Sequence, residues 1–268
     1  MSYWDGKTAL ITGGSAGFGN ALAWEFADRG ADVAIAGREA DKLQRAVDAL
    51  AQAGHNALGV QADVTDSAQV DEMICRTAAQ FGRLDVLVNN VGRSTRGKVV
   101  DTTAEQFRAL LELNFLSVVR CTQAALPHLR KSKGHLINIG SLAAKTVAPF
   151  LGAYPASKFA IAAYSQQLRF ELTDEGVHVL LVCPGPIARG DAGRRYAAES
   201  AELPDAARQP GGGVRLRGIA PGKLANKVLR ACERRQCELI VPARARLLFT
   251  LSQLSPSLGD WVIRRMRS

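Results

Sequence analysis

Residues 7–19 read KTALITGGSAGFG. KTALIT is a short apolar run of the kind that forms a buried strand, and the next residues open a helix carrying Ala21, Leu22 and Phe26 at helical spacing, predicted to end near Gly30. Between them lies TGGSAGFG, Thr12–Gly19. In such a turn Gly13 permits the tight reversal, while Gly17 and Gly19 allow backbone to approach a diphosphate and helix to approach sheet. The helix N-terminus offers unpaired N–H groups and a partial positive charge to an anion. Ser15 and Phe18 belong to the same turn and complete the candidate cofactor residues there.

The pattern repeats along the chain. Strands are predicted at 31–37, 56–63, 84–90, 135–141, 177–185 and 238–242, and helices at 39–53, 67–81, 103–131 and 153–175. Strands that alternate with helices require right-handed crossovers and a parallel sheet. The predicted fold is α/β: a doubly wound (Rossmann-type), mostly parallel seven-stranded sheet with helices on both faces. Residues 1–268 form a single dinucleotide-binding and catalytic domain, with no linker and no repeat. Residues 188–221 break the rhythm and are rich in Arg, Ala, Gly and Pro, with GGG at 211–213. They read as a substrate lid or as a surface loop.

The ends of the strands specify the ligand further. After the second strand come Gly37 and Arg38, where an acidic residue would bind the ribose hydroxyls of NAD. A guanidinium there matches a 2′-phosphate, so NADP(H) is the preferred cofactor, with Ser15 as a further donor and NAD(H) as the alternative. The neighbouring Glu39 competes in this reading, because it could pair with Arg38. Asp63 and Val64 end the third strand near the expected adenine, although Asp63 could equally cap the next helix. Asn90 and Gly92 end the fourth, where backbone passes close to the cofactor.

Six features stand in order: TGGSAGFG, NNVG (89–92), Asn114, Ser141, YPASK (154–158) and PGPI (184–187). In this order and spacing the chain resembles the short-chain dehydrogenase/reductase family, in its compact single-domain form, over about residues 5–188. The resemblance implies that Tyr154 is the general acid in carbonyl reduction and the base in alcohol oxidation. It implies that Lys158, one helical turn on, favours the phenolate and holds the nicotinamide ribose. Ser141 would polarise the substrate oxygen, and Asn114, an odd residue for a helix interior, would retain a water linking Lys158 to solvent. Pro184, Gly185 and Ile187 would lie beside the nicotinamide. Phe18, Val91 and Arg189 depart from the family's usual Ile or Leu, Ala and Thr; Phe18 and Val91 are expected to reshape the pocket wall.

The implied activity is an NADPH-dependent reduction of a ketone. Val147, Phe150 and Leu151 favour an apolar, lipid-like or acyl substrate. The alternatives are an NAD-linked alcohol dehydrogenase and a non-catalytic cofactor-binding sensor or scaffold. Family habit implies a homodimer or homotetramer through the helices at 103–131 and 153–175.

Composition bounds the remaining classes. Five scattered cysteines and four histidines form no ligand motif, so free thiols in a reducing compartment and no metal are expected. No run of eighteen apolar residues and no export-signal layout is present, and a cytoplasmic location is expected. The net charge of +9 is confined to residues 189–268, which hold 16 basic and 7 acidic side chains. That excess suits an anionic partner or a solvated surface. No nucleic-acid reader motif accompanies it, so no nucleic acid is expected. Residues 243–268 combine Leu247, Leu248, Phe249, Leu251, Leu254, Leu258, Trp261, Val262 and Met266 with Arg264, Arg265 and Arg267. This C-terminal amphipathic extension suits peripheral contact with a membrane surface or packing on a neighbouring subunit.

Overall fold

The computed structural model describes residues 2–190, 196, 199–200, 203–208 and 217–265. Its strands are β1 (Thr8–Thr12), β2 (Asp32–Gly37), β3 (Ala57–Gln61), β4 (Val86–Asn89), β5 (His135–Ile139), β6 (His178–Pro184) and β7 (Glu238–Val241). Every pairing is parallel, in the order β3-β2-β1-β4-β5-β6-β7, so the sheet is wholly rather than mostly parallel.

Alternation of side chains across each strand builds two cores. Ala9, Ile11, Val33, Ile35, Val86, Val88, Ile137 and Val182 face α1 (Gly17–Ala27), α2 (Ala40–Gln52) and α8 (Pro221–Glu233). Leu10, Ala34, Leu87, Leu136 and Val179 face α3 (Ser67–Phe81), α5 (Ser117–Ser132) and α6 (Tyr154–Leu172). β1, β4, β5 and β6 are buried along their whole length, which explains their continuous apolar sequence. Each fully buried Leu or Ile contributes roughly 1.5–3 kcal/mol.

Strand order reverses between β1 and β4. The first crossover leads from β1 outward to β2, and the chain later returns to place β4 on β1's other side. The crevice beyond the C-terminal ends of those two strands is the topological switch point at which such sheets bind ligands. The glycine turn follows β1, and Asn90 follows β4.

One expectation changes. The helix predicted over 103–131 is α4 (Ala104–Leu111) and α5 joined by a π-helical segment, Glu112–Leu116, centred on Asn114. A side chain that competes with helical hydrogen bonding sits where that bonding changes pitch. Taken together, Ala104–Ser132 is long and apolar enough by composition to cross a membrane; its α5 part packs on α3, β4 and β5 as a core helix. Residues 243–265 form two helices, α9 (Ala245–Leu254) and α10 (Pro256–Arg265), with the break at Pro256; Met266 and Arg267 lie outside the described residues. Of the expected lid, residues 191–195, 197–198, 201–202 and 209–216 lie outside them too, and Asp205–Arg208 forms a short helix, α7.

At the opposite end of the sheet, His135 and His178 are register partners at the starts of β5 and β6. Their Nδ1 atoms lie 2.9 Å apart; His135 Nε2 meets the Tyr3 hydroxyl at 2.8 Å and His178 Nε2 meets Gln236 O at 2.9 Å. With Cys232 they bring three metal-competent atoms within 4.8 Å. Dispersal along the chain is thus not dispersal in space. One proton order satisfies all three contacts: Tyr3 donates to His135, His135 to His178, and His178 to the Gln236 carbonyl.

Candidate active site

The glycine turn is shaped to receive an anion. Gly13 and Gly17 adopt φ of +65° and +57°, a region side chains rarely enter. A Cβ on Gly19 would lie 2.2 Å from Gly13 O, so only glycine lets α1 sit this close to the turn. A Cβ on Gly17 would meet nothing within 4 Å, which leaves space in front of the helix. Ala16 provides no side-chain cap, and the first turn of α1 holds no acidic residue. The helix N–H groups therefore remain available to a diphosphate. These features fit a dinucleotide. The Phe18 and Val64 side chains are buried in the two cores, and Val91 packs against the core on α3's side.

The ribose corner forms at the end of β2. Ser15 Oγ would lie 3.2 Å from a Cβ on Gly37. The Arg38 side chain is 72% exposed, with Nη1 3.6 Å from Asp63 Oδ2. Glu39 binds Lys42 instead, so the expected competitor for Arg38 is occupied elsewhere. Asp63 does not cap α3: its Oδ1 accepts from the Thr65 N–H and hydroxyl, and Asp66 caps the helix through the Gln69 N–H. The Thr65 bonds foremost, and Arg38 as well, hold the Asp63 carboxyl below its ordinary pKa.

Asn90 acts as a staple. Its Nδ2 donates to Thr12 O at 2.9 Å and Gly13 O at 3.3 Å, and its N–H donates to Thr12 Oγ1 at 3.0 Å. The end of β4 thereby holds the glycine turn in place. Gly92 lets the chain pass Asn114 and Lys158, since a Cβ there would lie 3.2 Å from Asn114 Oδ1 and 3.4 Å from Lys158 Nζ.

The catalytic candidates meet at the C-terminal end of β5 and the start of α6. Ser141 follows β5, its hydroxyl accepts from the Ala143 N–H, and it lies near enough to the Tyr154 phenol to favour the phenolate. Tyr154 opens α6 and Lys158 follows one turn later, its Nζ 5.9 Å from the phenol ring centroid. Lys158 is 5% exposed and donates to Ile139 O at 2.8 Å. Burial pulls its pKa down to about 8. Burial raises the Tyr154 pKa, Tyr196 adds to that, and the Ser141 hydrogen bond with the charges of Arg96 and Arg189 opposes it. Fully buried Asn114 brackets the backbone of one residue: Oδ1 accepts from the Arg93 N–H, and Nδ2 donates to Arg93 O and to Ser157 Oγ. It thereby ties α6 to the loop after β4.

Pro184 ends β6, the Gly185 N–H donates to Val241 O, and Ile187 pairs with Ile219, which leads this segment out beside the Ser141 loop. Thr12, Ser157 and Arg96 carry contacts that sequence reasoning did not assign. Thr12 and Ser157 stand inside TGGSAGFG and YPASK, but a small polar residue carries no sequence signal of its own partner. Arg96 carries no periodic or motif signal.

Comparison with known proteins agrees with this geometry. The family model described as short chain dehydrogenase matches residues 7–199. An uncharacterized oxidoreductase of Staphylococcus epidermidis is 34% identical over 206 residues, covering 75% of this chain and 88% of the relative. A solved short chain dehydrogenase/reductase from Burkholderia phymatum, in complex with NAD, has a TM-score of 0.83 at 26% identity over 96% of each chain. A short chain dehydrogenase from Burkholderia cenocepacia, in complex with NADP, has a TM-score of 0.76 at 31% identity over 89% of this chain and 97% of its own.

Proposed function

The chain belongs to the short-chain dehydrogenase family of nicotinamide-dependent oxidoreductases, and from that premise we propose that it reduces an apolar, lipid-like or acyl ketone with NADPH. The observation that carries this reading is the meeting of Ser141, Tyr154 and Lys158 beside a glycine turn whose helix N-terminus is uncapped. A bound nicotinamide dinucleotide supplies the hydride. The protein's part is orientation and the proton. Tyr154 donates its phenolic proton to the carbonyl oxygen, and Ser141 hydrogen-bonds that oxygen as charge develops. The Lys158 ammonium stabilises the phenolate that remains. Asn114 holds the Arg93 peptide and α6 at a fixed separation, so the cofactor-side loop and the catalytic helix keep register.

The preference for NADP rests on Arg38 and Ser15 flanking Gly37 with no free acidic residue beside them. An NAD-linked alcohol dehydrogenase is the second reading, favoured by the NAD in the Burkholderia phymatum relative. The substrate class rests on a groove of about 570 Å³ running along Val147–Gly152 and Pro155–Ala156, walled also by Val99, Phe107 and Ile263. Exposed Leu116, Phe159 and Phe170 on the central helices support a homodimer or homotetramer. Exposed Leu247, Leu254, Leu258 and Trp261 on α9 and α10 suit a neighbouring copy or the surface of a membrane from the cytoplasm. Light scattering and vesicle cosedimentation separate those two.

The direct test is oxidation of NADPH and NADH against a panel of ketones, steroid-like, acyl and sugar carbonyls included. Turnover of apolar ketones with NADPH is expected, with Tyr154→Phe lower by roughly 10²–10⁴-fold. Turnover of sugars alone, or a fully active Tyr154→Phe enzyme, overturns the proposal.

A further inference from the structure

The loop leaving β4 carries an arginine that is only 7% exposed, rare for this residue type. Arg96 Nε donates to Ala207 O at 2.8 Å, and Nη1 donates to Ser94 Oγ and Thr95 O at 2.9 Å each. Its backbone N–H donates to Glu199 Oε2 at 2.9 Å, and its guanidinium lies 3.7 Å from the Tyr196 ring centroid. Residues 196 and 207, both from the segment that follows β6, thus depend on one side chain, and Glu199 of the same segment on the backbone of that residue. That anchoring needs a planar fork and a stacking face together, which lysine does not offer. The cost of burying the cation is offset by these contacts and by the Glu199 carboxylate.

We propose that Arg96 is a positioning residue: its side chain fixes Tyr196 and Ala207 against the loop after β4, and its backbone N–H holds Glu199 there.

Full-length Arg96→Lys, Arg96→Met and Tyr196→Ala proteins test the anchoring. The amides of Ser200, Leu203 and Ala207 are hydrogen-bonded within the segment. Their hydrogen exchange is expected to speed up by about tenfold or more in Arg96→Met and Tyr196→Ala, because local opening no longer breaks the Arg96 contacts. In the proposed reaction both Arg96 variants raise KM about tenfold, with a smaller change in kcat. Unchanged exchange in Tyr196→Ala and in whichever Arg96 variants fold overturns the anchoring. Exchange needs no substrate, so a protein that turns over no carbonyl sinks the reductase reading and leaves the anchoring to be decided separately.

Discussion

Replacing Arg38 with Ala tests the cofactor assignment where it is most exposed to failure. The Arg38 backbone is held, because Gln61 Nε2 donates to its carbonyl at 3.0 Å. Among the described residues its side chain is held only by Asp63 at 3.6 Å, in an ion pair that is 72% exposed on the arginine side. Such a pair is worth well under about 1 kcal/mol, so the guanidinium can turn to a 2′-phosphate at little cost. A hydrogen bond to a charged partner contributes about 1.5–3 kcal/mol. Solvent screening at this corner and the lost Asp63 contact reduce that to about 1–2 kcal/mol, or ~5–30-fold in Kd. Fluorescence titration of NADPH and NADH against the wild type and Arg38→Ala reads this directly. NADPH should weaken by that factor and NADH by less than about twofold, and the NADPH effect should shrink in high salt. An equal loss for both cofactors would mean that Arg38 supports the turn rather than the phosphate. A wild-type protein that binds NADH more tightly would refute the reasoning at its root.

The sheet was legible because its central strands are buried on both faces and so read as unbroken apolar runs, as in LDVLVNN and VHVLLVCPG. The turn after β1 was legible because only glycine tolerates its backbone and its close helix, which leaves a compositional mark. Tyr154, Lys158 and Ser141 were legible through the ordered set of motifs that resembles the short-chain dehydrogenase/reductase family; spacing alone does not single the pair out, since Tyr3 and Lys7 stand four residues apart as well. Partner choice among surface charges was not. Whether Arg38 pairs with Glu39 or Asp63, and whether Asp63 or Asp66 caps α3, depends on side-chain directions that sequence proximity does not encode. The same holds for contacts made across the fold. Arg96 meets Ala207 over more than a hundred residues, and His135 meets His178 because parallel strands place equivalent starts side by side. The π-helical segment at Asn114 falls between these cases: a poor helix former inside a helix was visible, but the change of pitch that accommodates it was not.

Two further outcomes follow from the geometry. Gly19→Ala places a Cβ 2.2 Å from Gly13 O and 2.6 Å from Asn90 Nδ2, so about 1–3 kcal/mol of stability should be lost in urea unfolding, together with cofactor binding. An unaltered unfolding midpoint would show that α1 can retreat from the turn. The histidine pair should make stability pH-dependent below neutrality. Burial foremost, aided by the other imidazole and by Arg235 and Lys7, lowers His135 to about 3; burial also lowers His178. The folded protein therefore binds fewer protons than the unfolded chain below about pH 6.5, and this contribution is complete above that pH and lost as pH falls toward 3. At pH 4.5 the loss from His135 alone is about 2–3 kcal/mol. Urea unfolding at pH 7.0 and 4.5 should show it in the wild type and not in His135→Asn, whose remaining carboxylates titrate alike in both proteins. Protonating His178 forfeits the Nδ1–Nδ1 bond, because two donors would then face each other at 2.9 Å; protonating His135 at Nε2 keeps that bond but obliges the Tyr3 hydroxyl to accept instead of donate. Equal pH dependence in the two proteins would mean that the pair admits a proton without penalty, and that the donor chain from Tyr3 to Gln236 is not held in one order.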